Sequence, residues 1–335
     1  MRIAYVSPFP PLVSGISDYS AELVPHLIER AEVEVFYEDG SEPPAVGAPA
    51  ASWRALPARH AARPFEAIVY QLGNNSMFHS GAYRLLFEIP GIVMFHEVVI
   101  HHLIRELTLA KGYVDEYLEE VRYGAGRTSH ALARRGVDTA ALIDPFRYPL
   151  FERALDASLG ALVHSDGGRA RMLASRPLAQ VHRVPFPWTP SLDPLHREPD
   201  APSTRAALSS RLGVDPDAFV VACFGYLTRT KRLDVALRAF AQLARREPRA
   251  VFLAVGEISK SEYDFATLVP PDLASRVRAL GRIDLETFEA AMARTDVAIN
   301  LRYPTGGETS ATLMRLLGLG RAVLVTDGGA FSELP

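Results

Sequence analysis

The sequence predicts an α/β protein, doubly wound, in two halves. Short apolar runs alternate with stretches of helical period, as in parallel sheets whose strands are joined by helices. The alternation breaks over residues 185–202, where Pro185, Pro187, Pro190, Pro194, Pro199 and Pro202 leave no helical period, and it restarts afterwards. The chain also has 335 residues, 48% hydrophobic and 22% charged, which is long for a single core.

In the first half, Ile3 to Val6 reads as a short buried strand closed by Ser7, Pro8, Phe9, Pro10 and Pro11. A loop with Gly15 follows, then an amphipathic stretch from Asp18 to Ile28 with Leu23, Val24, Leu27 and Ile28 on one face. Val33 to Tyr37 is a second strand. Ala67 to Tyr70, Gly91 to Phe95 and Gly160 to Val163 are further strands, and Tyr113 to Ala133 has helical character. The second half repeats the pattern with strands at 220–224, 251–256, 297–301 and 322–325. Its helices are expected over 233–244, around 287–293 and over 310–319. The expected division is an N-terminal domain over 1–190, a proline-rich linker over 191–202 and a second domain over 203–335. The chain stops at Pro335, just after a strand and turn. A doubly wound domain normally continues, so a C-terminally truncated chain is expected, with a compact natural end as the alternative.

Composition narrows the function. A formal net charge of -3 argues against a general nucleic-acid binder. The single cysteine, Cys223, excludes an internal disulfide and a cysteine-based zinc cluster, and its apolar run suggests a buried, inert thiol. The apolar stretch at the N-terminus is too short for a secretory signal, and no run approaches a membrane span of about 20 residues. A cytoplasmic location is expected. Arginines over 54–63 leave peripheral contact with anionic lipid open, against the plainer reading of a solvated surface.

Two loops carry the chemistry. Gly225, Tyr226, Leu227, Thr228, Arg229, Thr230, Lys231 and Arg232 run from a strand into a helix. Backbone N–H groups and a helix N-terminus there suit a diphosphate, and Lys231 with Arg229 or Arg232 would supply positive charge. A solvated basic turn is the alternative; the Walker pattern is absent. The second loop, Arg302 to Ser310, again leaves a strand. Thr309 or Ser310 can cap the next helix, Gly306 and Gly307 permit close backbone approach, and Glu308 can accept from sugar hydroxyls. A capped helix with an acid near its start accounts for Ser310 but not for the paired glycines. Ligands in open α/β sheets bind outside the carboxyl ends of the strands.

In the first half, His96 follows the strand that ends at Phe95, with Glu97, His101 and His102 after it. A zinc-protease helix would need histidine at position 100, which is Ile100. Gly73, Asn74 and Asn75 with His79 form another polar loop, readable as a turn alone. The first βα loop lacks the G-x-G-x-x-G of dinucleotide enzymes, no clear Asp-x-Asp pair emerges on a loop to support an obligatory metal, and the G-x-S-x-G elbow is missing.

Taken in order, these residues resemble the family 4 retaining glycosyltransferases, over nearly the whole chain. The resemblance rests on the proline-rich turn with Gly15, the strand end at Phe95, His96 and Glu97, the loop 225–232, and the region 307–320, and the closing segment Leu319 to Gly329 looks most like that family. It implies the GT-B fold, with two facing Rossmann-like doubly wound domains and a cleft between them, the first holding the acceptor and the second the nucleotide-sugar donor. It further implies that Lys231 neutralises the diphosphate with Gly225, Thr228, Arg229 and Arg232 nearby. Glu308 would touch sugar hydroxyls as the first acid of an E-x7-E motif, and Gly307, Thr309 and Ser310 would lie beside the phosphates or sugar. His96 would contact the donor sugar, and Gly15 would let the pyrophosphate approach. The implied reaction is sugar transfer to a saccharide, lipid-linked or small-molecule hydroxyl, with retention and with neither metal nor cofactor beyond the donor. Two positions depart from the family. Leu316 stands at the spacing of the second acid, or Arg315 if Gly320 sets the register, and Tyr226 replaces the usual arginine after Gly225. Both leave the nucleotide's identity open. A non-catalytic GT-B partner subunit and, behind it, a nicotinamide-dependent dehydrogenase are the rival readings.

Overall fold

The structure is a computed structural model that describes residues 1–39, 42–187 and 198–334. Most of the expected linker, with Pro194, lies outside the described residues, as does Pro190 just before it. The described residues fall into two compact units. The first comprises the described residues from 1 to 187 with 306–309 and 333–334; the second comprises the described residues from 198 to 305 and from 310 to 332.

The first unit is built on seven strands: β1 (Arg2–Val6), β2 (Glu32–Tyr37), β3 (Ala50–Ser52), β4 (Ala67–Leu72), β5 (Ile92–Phe95), β6 (Gly160–Val163) and β7 (Val181–Arg183). Their order is β3-β2-β1-β4-β5-β6-β7, and every pairing is parallel. Both faces are covered, so central strands alternate between two cores rather than between core and solvent. Ala4, Val6, Phe36, Ile68 and Tyr70 join one cluster, while Ile3, Tyr5, Val33 and Val35 meet Val24 of the helix Gly15–Ile28 in another.

The second unit repeats the plan with β8 (Phe219–Phe224), β9 (Ala250–Val255), β10 (Val277–Gly281), β11 (Val297–Asn300) and β12 (Ala322–Val325), in the all-parallel order β10-β9-β8-β11-β12. Val220, Ala222 and Phe224 face one cluster; Val221 and Cys223 face the other. Cys223 is buried, and burial pushes its thiol up to about 12.

The central strands lie where their apolar runs place them. The edge strands β3, β7 and β10 escape that reading, because half-covered strands such as Val181-His182-Arg183 have no apolar run to display. The expected helix over 113–133 is Val114–Asp138, and it breaks at Gly126, whose φ of 80° and ψ of -178° are not helical. No helix among the described residues is long and apolar enough to cross a membrane. The arginines over 54–63 are ion-paired: Arg63 bonds both carboxylate oxygens of Glu32 at 2.7 and 2.8 Å, Arg54 meets Asp39, and Arg59 meets Glu34. Their charge is thus largely answered within the protein.

Candidate functional site

In the second unit the strand order reverses direction between β8 and β11, which makes their carboxyl ends the switch point of the sheet. The two loops singled out in sequence leave those two strands. They are stitched together by a bond from Tyr303 N to Thr230 O at 2.8 Å, and Arg302 N is held by Thr326 Oγ1 at 3.0 Å.

Gly225 has φ +86°, and a Cβ built on it would stand 2.5 Å from Lys231 Nζ. The missing side chain therefore makes room for the ammonium, which donates to the carbonyl of Phe224 at 2.7 Å. Leu227, 1% exposed, anchors the turn in the core. Thr228 Oγ1 lies 2.9 Å from Thr230 Oγ1. Residues Arg229–Lys231 form a short 3-10 turn, with Arg229 Nη2 donating to Glu262 O at 3.1 Å. Arg232 then adopts a left-handed conformation, φ 53° and ψ 42°, and opens the helix Leu233–Ala244. Its Nε is 3.8 Å from Asp234 Oδ1. Ser310 caps the helix Ala311–Gly318, accepting from Leu313 N at 3.3 Å, and bonds Thr312 Oγ1 at 2.8 Å.

The two residues at the spacing of a second acid are committed elsewhere. Leu316 is 1% exposed in the core, and Arg315 Nη1 donates to Glu289 Oε1 at 2.8 Å.

Sequence reading missed three features of this switch point. Gly256 follows β9 with φ +123°, and a Cβ on it would lie 2.2 Å from Gly225 O, so the two glycine backbones touch. Glu257, next along, is exposed, and its carbonyl accepts from Leu227 N at 2.8 Å. Asn300 ends β11 at 5% exposure with Nδ2 unpartnered among the described residues. The glycine-acid pair after an apolar strand, and the asparagine closing another, were the available signals.

His96, Gly15, Gly307, Glu308 and Thr309 belong to the first unit. His96 sits just past β5, half-buried, with Nε2 donating to Gln71 Oε1 at 2.8 Å; with that proton placed, Nδ1 is the acceptor of the neutral ring. The Tyr19 ring meets it edge-on at 4.7 Å between centroids, and His164 stands 5.7 Å away. Burial, followed by the neighbouring imidazoles of His164 and His79, holds His96 well below the ordinary histidine range. The ring is therefore neutral at physiological pH.

Gly306 O accepts from both Val98 N and Val99 N at 3.1 Å, and Glu308 Oε2 accepts from Gly306 N at 2.7 Å. Gly307 has φ +80°, with its would-be Cβ 3.2 Å from Val98 Cγ2. These bonds bring the Glu308 segment against the residues that follow His96. Gly15 begins the helix Gly15–Ile28, whose cap is Ser14, and open space surrounds its would-be Cβ.

Asn74, Asn75 and His101 are held by hydrogen bonds within the fold. Asn74 Oδ1 accepts from His102 N at 2.9 Å and Leu103 N at 3.1 Å, capping the helix His101–Leu107, while Asn75 caps Ser76–Glu88. His101 bridges Tyr148 O at 2.6 Å and Tyr117 Oη at 3.0 Å. Among the described residues, no group of three or more His, Cys, Asp or Glu side chains could hold a metal ion.

Comparison with known proteins follows the same lines. Residues 218–335 match a family model described as Glycosyl transferases group 1. Mannosylfructose-phosphate synthase of Agrobacterium fabrum is 29% identical over 166 residues, covering 46% of this chain and 34% of that protein, so the match spans about a third of that relative. Sucrose-phosphate synthase from Thermosynechococcus elongatus superposes with a TM-score of 0.67 at 15% identity, over 99% of this chain and 83% of that one. Anabaena HepE, solved in complex with UDP-glucose, gives 0.63 at 15% identity, over 100% and 83%. At these identities the likeness to solved structures concerns the fold alone: the chain has the GT-B fold of glycosyltransferases, with the group 1 match over residues 218–335.

Proposed function

We propose that the protein is a glycosyltransferase of the family 4 type, moving a sugar from a nucleoside-diphosphate sugar to an acceptor hydroxyl with retention and without a metal. The observation that carries this reading is Lys231, seated through the gap at Gly225 at the carboxyl end of β8, beside the loop that leaves β11. A fixed ammonium among backbone N–H groups is suited to the charge that develops on a departing diphosphate, and prior positioning avoids reorganisation during the reaction. Arg229 and Arg232 add charge from the same turn. The group 1 match, over residues 218–335, includes both of these loops, and HepE was solved in complex with UDP-glucose on the same fold.

In this reading Glu308 accepts from sugar hydroxyls, and the neutral His96 serves as a hydrogen-bonding group toward the donor sugar rather than as a cation. Gly15, Gly307, Thr309 and Ser310 present backbone to phosphate or sugar, with Thr228 beside the diphosphate. The acceptor is a saccharide, a lipid-linked sugar or a small molecule.

The test is release of nucleoside diphosphate from UDP-, GDP- and ADP-sugars by the wild type, Lys231→Ala and Glu308→Gln. Turnover is expected to fall by about 10²-fold in Lys231→Ala. Equal turnover in all three proteins refutes the donor site. One observation favours a second reading, a non-catalytic GT-B partner: core packing of Leu316 and pairing of Arg315 with Glu289 remove the second acid. Absence of donor-dependent diphosphate release from every sugar nucleotide, with binding retained, selects that reading.

A further inference from the structure

We infer that Glu257 holds the ribose diol of the donor nucleotide, replacing the acid absent at position 316; this assignment rests on the donor-site reading above. Strand β8, the turn 225–232, the helix Leu233–Ala244 and β9 form one βαβ unit with parallel strands in register from Phe219↔Ala250 to Phe224↔Val255. In dinucleotide-binding βαβ units a phosphate lies against the first turn and an acid at the end of the second strand accepts from a ribose hydroxyl; the unit here shares that topology without the glycine fingerprint. Glu257 occupies that second position.

Its placement is tied to the phosphate turn itself. Gly256 brings its backbone against Gly225, whose carbonyl oxygen leaves only 2.2 Å for a Cβ, and Leu227 N bonds the Glu257 carbonyl at 2.8 Å. The residue is therefore fastened by its main chain to the same turn that seats Lys231, while its side chain is exposed. The carboxylate has no hydrogen bond or ion pair with the described residues, unlike Glu262, which takes Arg229 N, and Glu289, which takes Arg315. An ionised carboxylate accepts only, and its two oxygens match the two hydroxyl donors of a cis-diol. Its charge would also repel a phosphate placed on the ribose.

The experiment is calorimetric binding of UDP, ADP and GDP, each beside its 2′-deoxy counterpart, to the full chain and to Glu257→Ala and Glu257→Gln. Thermal melts verify that the variants fold, as expected for an exposed side chain. The wild type is expected to bind one ribonucleotide about tenfold tighter than its deoxy form, the worth of one charge-assisted hydrogen bond. Glu257→Ala should bind both forms alike, at the affinity of the wild type for the deoxy form, with Glu257→Gln between. Full ribose preference retained in Glu257→Ala overturns the assignment, as does an equal loss of both forms. Failure of the wild type to bind any of the three diphosphates overturns the donor reading itself, and this inference with it.

Discussion

Lys231 Nζ reaches the Phe224 carbonyl at 2.7 Å through space that exists only because residue 225 has no side chain. The glycine is doubly required, since its φ of +86° is also one that L side chains rarely adopt. Gly225→Ala should therefore cost about 1–3 kcal/mol of stability from backbone strain and displacement of the ammonium. Nucleoside-diphosphate affinity should fall with it. Urea unfolding and calorimetry check both; a variant with unchanged stability and unchanged binding removes the seating argument.

The sequence shows the switch-point loops clearly for a physical reason. Central parallel strands are covered on both faces, so Val220 to Phe224 and Val297 to Ile299 appear as apolar runs, and the polar residue or glycine that follows each marks a carboxyl end. Glu257 was passed over because nothing in a one-dimensional pattern says that Gly256 must touch Gly225; that contact exists only once β8 and β9 pair. The surroundings of His96 were hidden likewise. Gln71, Tyr19 and His164 come from three separate elements, and only the order β1-β4-β5-β6 brings them to one strand end. Asn74 and Asn75, by contrast, were ambiguous in sequence because a cap and a ligand-binding loop use the same residues.

Acid should weaken the first unit through its buried imidazoles. Burial lowers His79 from 6.5 to about 4 and His101 likewise to about 4, each partly offset by a backbone hydrogen bond, and His96 is lowered as well. These rings are neutral when folded, whereas the unfolded chain takes up their protons below about pH 6.5. Stability from them is complete above that pH and is lost as pH falls toward 4. The expected loss is about 2 kcal/mol per fully buried ring by pH 4.5. Urea midpoints at pH 7, 5.5 and 4.5 measure it, and His79→Gln should flatten the slope by roughly one proton. A wild-type slope no steeper than that of His79→Gln contradicts the argument.

Arg232 offers the sharpest separation of stability from function. Among the described residues it is one of three non-glycine residues with positive φ, at 53°, and it sits where the 3-10 turn meets the helix Leu233–Ala244. Its carbonyl takes Val235 N at 3.0 Å and Ala236 N at 3.1 Å, so the backbone geometry is needed whatever side chain is present. Glycine would supply that geometry without the steric cost of a Cβ, which is about 1 kcal/mol. The visible contacts of the guanidinium are modest: 3.8 Å to Asp234 Oδ1, and 5.9 Å from Cζ to the Tyr303 ring centroid. They offer little compensation for the strain, and an anionic ligand would. Arg232→Gly is thus expected to melt at an equal or higher temperature while binding nucleoside diphosphate about tenfold more weakly. A variant that is destabilised yet binds as tightly as the wild type would show that Arg232 serves the fold alone.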